Sequence, residues 1–165
     1  MSRSARRQIL FEVGPHLLAA DAQEICEVRE PSRATPVPGS VPGIAGLINL
    51  RGTLVVAGEL ATLLGLEPLK SEEATLIVFE ESEQRIALEV DRLVGVSEVD
   101  REELDVKGDL LEALGARDLV AGVGQYEDRP FFQLDMKALF ARVLDREGDG
   151  DGARQLGSPG GWEAT

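Results

Sequence analysis

The feature that most constrains the fold is an internal, degenerate duplication. Ile9-Leu10-Phe11-Glu12 returns 68 positions later as Ile77-Val78-Phe79-Glu80. At the same offset Leu18 matches Ile86, Ala20 matches Leu88, Ile25 matches Leu93 and Val28 matches Val96. Farther on, at an offset of 76, Ile44-Ala45-Gly46-Leu47 returns as Val120-Ala121-Gly122-Val123. Glu59 then matches Asp135, Leu63 matches Leu139 and Leu64 matches Phe140. The offset grows because the loop after Val96 is longer than the loop after Val28. The chain therefore reads as two copies of one β-rich unit, each ending in a helix. Two copies are too few for a solenoid, in which neighbouring repeats must cover each other's apolar faces.

Within the first copy, Gln8 to Val13 alternates, with Ile9, Phe11 and Val13 on one face. Gly14-Pro15 is a turn, and Leu17 to Ala20 returns as the hairpin partner. Asp21 caps a short helical turn over Ala22 to Glu24. Ile25 to Arg29 is a third strand. The loop from Glu30 to Gly43 carries Pro31, Pro36, Pro38 and Pro42, too many for a central strand. Gly46 to Leu50 and Thr53 to Ala57 form a hairpin, and Glu59 to Leu64 a short helix stopped by Gly65.

The second copy repeats this plan. Ala74 to Glu80 is almost wholly apolar, which implies burial on both faces. Arg85 to Val90 alternates, with Ile86, Leu88 and Val90 inward, and Leu93 to Val99 is the next strand. Acidic turns or a brief helix fill Asp100 to Gly115. Leu119 to Tyr126 pairs with Pro130 to Leu134. Asp135 caps a final helix to about Leu144 with Met136, Leu139, Phe140 and Val143 on its apolar face. Short strands with close Gly/Pro turns predict small antiparallel barrels, and the duplication predicts two, with Ile9, Phe11, Leu18 and Leu88 in their cores. Residues 1–7 read as a flexible N-terminus. Residues 145–165 read as a disordered tail, since they offer little to bury.

Composition narrows the function. The chain has 165 residues, 30 acidic against 17 basic, and a net charge of −13. That balance argues against nucleic acid, which needs Lys and Arg for its phosphates, and against anionic membrane surfaces. An aromatic content of 4% makes a base-stacking platform a poor fit. Cys26 stands alone, so no internal disulfide forms, as suits a reducing cytoplasm. No apolar run approaches the roughly 20 residues of a membrane-spanning helix.

The candidate site is Val41 to Leu54, an apolar strand pattern that stops at Asn49-Leu50-Arg51-Gly52. Asn49 and Gly52 are expected to supply the positive φ of a tight turn, with Arg51 presented between them. A solvated turn arginine is the plain alternative; a docking contact is the sharper one. His16, the sole histidine, reads as an exposed turn residue, with no second base or nucleophile in view. Asp149-Gly150-Asp151-Gly152 lacks the loop length and terminal Glu of a calcium site. Trp162 is an aromatic in a polar tail. No phosphate loop, paired-His motif or nucleophile elbow is present. No catalytic, metal or cofactor site is expected.

From Gln8 to Leu144 the chain resembles the CheW-like family of chemotaxis coupling proteins. The most specific motif is Gly46 to Gly52, followed by the acidic-Leu pair Glu59-Leu60. Ile25-Cys26-Glu27-Val28 resembles a family strand, and Val90-Asp91-Arg92-Leu93-Val94-Gly95-Val96 resembles the family's second-half segment. Val120 to Val123 and Leu134-Asp135 match its closing hairpin and helix. The resemblance implies a mainly β fold: two five-stranded SH3-like barrels around a shared hydrophobic core, with short helices and a C-terminal helix. It implies a non-enzymatic adaptor between the cytoplasmic tip of a chemoreceptor and the regulatory domain of a CheA-type histidine kinase. Such an adaptor would be cytoplasmic, at receptor arrays on the inner face of the membrane. By family position Ile25, Glu27, Val28, Gly46, Asn49 and Arg51 would lie at the receptor groove, on the first barrel. The chain departs from the family pattern at Val56, where Pro is frequent, at Ala57 and Gly58, usually larger apolar residues, and at Ile44, often aromatic. A scaffold of a non-flagellar chemosensory pathway stays open, as does a small-ligand-binding β-barrel.

Overall fold

The computed structural model describes residues 5–40, 42–67, 71–100 and 117–145. The turns or helix expected over 101–115, and the tail from 146 with Trp162, lie outside them. The first copy supplies β1 (Ala5–Val13), β2 (His16–Asp21), β3 (Ile25–Arg29), β4 (Ile44–Leu50), β5 (Thr53–Glu59) and α1 (Leu60–Leu63). The second supplies β6 (Thr75–Glu81), β7 (Gln84–Val90), β8 (Arg92–Asp100), β9 (Val120–Tyr126), β10 (Arg129–Leu134) and α2 (Met136–Phe140). A wider π turn, Ala141–Asp145, continues α2. β1 starts at Ala5, ahead of the expected Gln8, because Ala5, Arg6 and Arg7 find partners on β8.

The strands form two five-stranded sheets, β8-β1-β2-β10-β9 and β3-β6-β7-β5-β4. The duplication is visible in these orders, since moving every strand five places along the chain turns one into the other. Yet neither sheet is one copy. The first takes β1 and β2 from the N-terminal half and the rest from the C-terminal half. The second does the reverse. The joints are parallel pairings, β10 on β2 and β5 on β7, within otherwise antiparallel ladders. The expected barrels exist, but each copy lends its first hairpin to the other's sheet. The 3-10 turn Ala22–Glu24 makes the first crossing, with the Asp21 carboxylate accepting from the Gln23 N–H at 3.1 Å.

Three apolar clusters result. A small one lies inside the second sheet, around Ile48, Leu50, Val55, Leu76 and Val78. Another lies inside the first, around Leu10, Leu17, Ala19 and Phe131. The largest sits between the sheets and includes Phe11, Leu18, Phe79, Ile86, Leu88, Leu139 and Phe140. Phe11 and Phe79, equivalent residues of the two copies, meet there with ring centroids 6.4 Å apart. The expected core residues Phe11, Leu18 and Leu88 are fully buried. Ile9 is not: it is only half-buried, while Leu10 is fully buried. β1 lies inside its sheet with apolar clusters on both faces, so simple alternation assigns Leu10 to the wrong environment.

Polar contacts tie the copies as well. Glu12 accepts from Arg129 Nη1 at 2.7 Å and from Arg92 Nε and Nη2 at 3.2 and 3.0 Å. The buried Asp91 accepts from the Gly14 N–H at 2.7 Å, which explains the Val90-Asp91 pair on structural grounds. The hydrogen bond from Arg129, then that from Arg92, holds the Glu12 carboxyl below its ordinary value of 4.5. A depressed folded-state pKa stabilises fully above the unfolded value and is lost as pH falls through the folded one. Glu12→Gln should therefore lower the melting temperature at pH 7, and the gap from the parent should close as the pH falls through the depressed Glu12 value.

The strand exchange makes a second prediction. A fragment of residues 1–70 lacks β6 and β7, and one of residues 71–165 lacks β1 and β2, so each should be unfolded by circular dichroism. Mixed, they should regain the β-sheet signal. A folded, cooperative melt from either fragment alone would count against the exchange.

Candidate functional site

The Arg51 turn forms as a tight hairpin, but with a different division of labour from the one expected. Asn49 remains in β4, and its side-chain oxygen accepts from the Gly52 N–H at 2.7 Å. The positive φ angles belong to Arg51 (53°) and Gly52 (88°). A turn with two such residues matches the twist of the flanking strands. Gly52 meets this at little cost, while Arg51 tolerates it because the Asn49 bond fixes the loop.

Arg51 then reaches across the barrel. Its Nη1 and Nη2 donate to the two Glu27 carboxylate oxygens at 3.0 and 3.2 Å, a forked pair. Arg29 stands 3.7 Å from the same carboxylate. β3, which carries Glu27, and β4, which enters the turn, are the two edges of their sheet. The ion pair thus links the two edges of the barrel at one lip. Arg51 is 75% exposed and Glu27 20%, so the pair is screened on one side only. An open cleft of about 550 Å³ lies here, lined by Glu27, Arg29, Asn49 and Arg51.

The repeat supplies a control. At the two offsets Glu27 corresponds to Gly95 and Arg51 to Glu127. The second hairpin turn has the same backbone, with Glu127 at φ 49° and Asp128 at 71°. There, among the described residues, the edges β8 and β9 meet without a charge pair: the Tyr126 hydroxyl lies against Gly95, where a β-carbon would come within 2.8 Å of it. The fold closes one barrel with an ion pair and the other with an aromatic ring on glycine.

Ile25 and Val28 lie elsewhere, in an apolar groove of about 410 Å³ between β3 and β8. Ile9, Leu93 and Val96 complete its walls. Val28 is 43% exposed and Val96 54%, unusually open for residues of this type. Sequence reasoning omitted Ile9, Leu93 and Val96 from the candidate site. The signal for two of them was present: Leu93 is the repeat of Ile25, and Val96 of Val28. The groove runs along the axis that relates the copies.

Gly46 sits at φ 145°, and a β-carbon there would collide with the Thr35 carbonyl. Thr35 and Leu47 exchange backbone hydrogen bonds at 2.8 and 2.9 Å, so Gly46 lets the proline-rich loop lie on β4. Gly58, one of the departures from the family pattern, also packs on a carbonyl, that of Gly43, too closely for a β-carbon. His16 lies edge-on to Phe132 at 5.6 Å, and burial followed by the Arg129 charge pushes its pKa down. Cys26 is exposed. No helix among the described residues is long and apolar enough to cross a membrane.

Two β-barrels about one core, with an open apolar groove between β3 and β8 and a charged Glu27–Arg51 lip, define a paired-barrel β domain. A family model for the CheW-like domain matches residues 7–144. The chain is 29% identical to chemotaxis protein CheW of Thermotoga maritima, over 84% of this chain and 89% of that protein. It is 24% identical to a probable chemotaxis protein CheW of Rhizobium etli, over 87% and 92%. The crystal structure of the scaffolding protein TtCheW from Thermoanaerobacter tengcongensis superposes with a TM-score of 0.72 and 22% identity, covering 79% of this chain and 89% of that one. The chain belongs to the CheW-like family, a family of scaffolds, and is a chemotaxis coupling adaptor.

Gly46→Ala should destabilise the fold by roughly 2 kcal/mol or more, since both its φ and its packing exclude a β-carbon. A urea titration checks this; an unchanged midpoint would remove Gly46 from the structural account.

Proposed function

We propose that this adaptor joins the cytoplasmic helical tip of a chemoreceptor to the regulatory domain of a CheA-type histidine kinase, at arrays on the inner face of the membrane. The observation that carries the reading is the exposed apolar groove between β3 and β8. An amphipathic helical hairpin docks by laying its apolar stripe into such a trough. Ile25 and Val28 form one wall, Leu93 and Val96 the other, and Ile9 contributes to the floor. Glu27, on β3 between Ile25 and Val28, and Arg51, paired to it, act as the polar clamp at the lip. A guanidinium carries five N–H donors, so Arg51 can hold Glu27 and still bond a partner's carboxylate or carbonyl. Asn49 positions Arg51 through the turn, and Gly46 supports that turn's strand. The kinase domain takes a separate surface, because a bridge must hold both partners at once. The adaptor performs no chemistry of its own and needs no cofactor.

The exposed pair contributes about 0–1 kcal/mol to folding. An interface arginine can cost about 2 kcal/mol when truncated, roughly thirtyfold in affinity. Arg51→Ala should thus keep nearly the parent melting temperature while binding a receptor cytoplasmic fragment about thirtyfold more weakly. Val96→Asp should weaken the same interaction at least about tenfold, because it places a charge in the apolar trough. Both variants should still bind the kinase regulatory domain. Unchanged receptor affinity in folded Val96→Asp would remove the groove from the receptor interface. Direct competition between receptor fragment and kinase domain would sink the two-surface arrangement.

A further inference from the structure

A third cavity, of about 460 Å³, opens at one end of the barrel formed by β8, β1, β2, β10 and β9. Gln8 and Gln133 line it. They stand on β1 and β10, one strand on either side of β2, at the end of the apolar interior of Leu10, Leu17, Ala19 and Phe131. Both are more than nine-tenths buried, at 3% and 8% exposure. Among the described residues the buried Oε1 atoms of both have no hydrogen-bond partner. An orphaned acceptor in an interior is costly, and two at one cavity call for an explanation. The terminal torsion of a Gln side chain is broad and roughly two-fold, so either amide can turn its oxygen towards a donor in the cavity.

The rim is rich in acceptors too. Asp21, Glu24 and Glu81 line it. Arg6 is committed to Asp21 at 2.9 Å, and among the described residues no ion pair reaches Glu24 or Glu81. Burial, then the Asp21 charge, pushes the Glu24 carboxyl up, and the nearby Arg6 charge opposes this only in part. Asp135 is held by the Ala138 N–H at 3.1 Å, which leaves Lys137 as the remaining cation on the rim. Among the described residues no three His, Cys, Asp or Glu side chains are placed to hold a metal ion. The chemistry favours a ligand with several N–H donors and a positive charge.

We infer that the mouth of this barrel is a binding site for an organic cation, a primary ammonium or a guanidinium, with Gln8 and Gln133 accepting its N–H groups and Glu24 and Glu81 balancing its charge. The site is distinct from the β3–β8 groove and from the Arg51 lip, and its occupant need not be a receptor. The group can belong to a free amine or to the Lys or Arg side chain of a partner.

The test is a titration of the full chain with agmatine, which carries both groups, followed by 15N NMR. Tetramethylammonium, a cation without N–H donors, is the control. Agmatine should shift the side-chain amides of Gln8 and Gln133 and the backbone of Gln23 and Glu24, with saturation. Tetramethylammonium should not. Glu24→Gln should weaken agmatine about fivefold with the fold retained in the NMR spectrum. Gln133→Leu should abolish the shift at Gln8 as well. Receptor fragment and kinase domain are then titrated against Glu24→Gln: a matching loss with either assigns the cation to that partner's side chain, and unchanged affinity for both assigns it to a free amine. Equal shifts with both cations, or no saturable shift at the two amides, would overturn the site and leave the amides to be satisfied by water.

Discussion

Everything in this molecule depends on the exchange of first hairpins between the two copies. β1 and β2 leave their own half to complete a sheet with β8, β9 and β10, and β6 and β7 do the converse. The parallel β2–β10 and β5–β7 pairings are therefore the covalent duplication turned into a mutual requirement. A hairpin alone is marginal in water, and three strands with a covered face approach the minimum for stability. Each copy by itself could assemble only two separate hairpins, β1–β2 and β4–β5 or β6–β7 and β9–β10, with β3 or β8 lacking its partner. The exchange also brings equivalent residues face to face on the axis, as Phe11 meets Phe79. The central core thus belongs to both halves, and cooperativity follows from topology rather than from any single contact.

The same exchange creates the apolar groove. β3 and β8 are equivalent strands, each at the edge of a sheet completed by the other copy. They run along the axis and leave a trough whose walls repeat one another, Ile25 and Val28 opposite Leu93 and Val96. Fold stability gives no reason to leave Val28 and Val96 about half exposed. An exposed apolar edge is a liability unless something covers it. The receptor docking proposed above would supply that cover. The groove is a product of the architecture, so it resists removal by drift in any one side chain.

Much of this was legible in the sequence, and the gaps have physical causes. The strands, the Asp21 and Asp135 caps and the final helix could be read because each has a local cause: alternation, a capping carboxylate, a turn residue. The exchange could not be read, since a repeat in sequence does not say which copy a strand pairs with. Ile9 and Leu10 were inverted because β1 is buried on both faces, where period-two patterning loses its meaning. Asn49 was given the positive φ on propensity, but its side chain works better from the strand, bonding the Gly52 amide while Arg51 takes the strained position. Half of the groove was missed although the repeat pairs Ile25 with Leu93 and Val28 with Val96. Repeat spacing specifies equivalent strands, but not that the exchange sets two of them side by side.

The two barrels also show how a symmetric scaffold becomes a directional one. Their closing turns share a backbone, yet Arg51 faces Glu27 where Glu127 and Gly95 stand in the other half. The Tyr126–Gly95 contact shows that closure needs no charge. The ion pair is therefore a difference laid over an equivalence, and its weak contribution to folding makes it cheap to alter. One turn thus carries a basic fork where its repeat carries the acidic Glu127 and Asp128, so the two halves offer the same backbone with opposite charge. A partner that contacts either turn meets a different sign, and specificity is such a difference between two affinities.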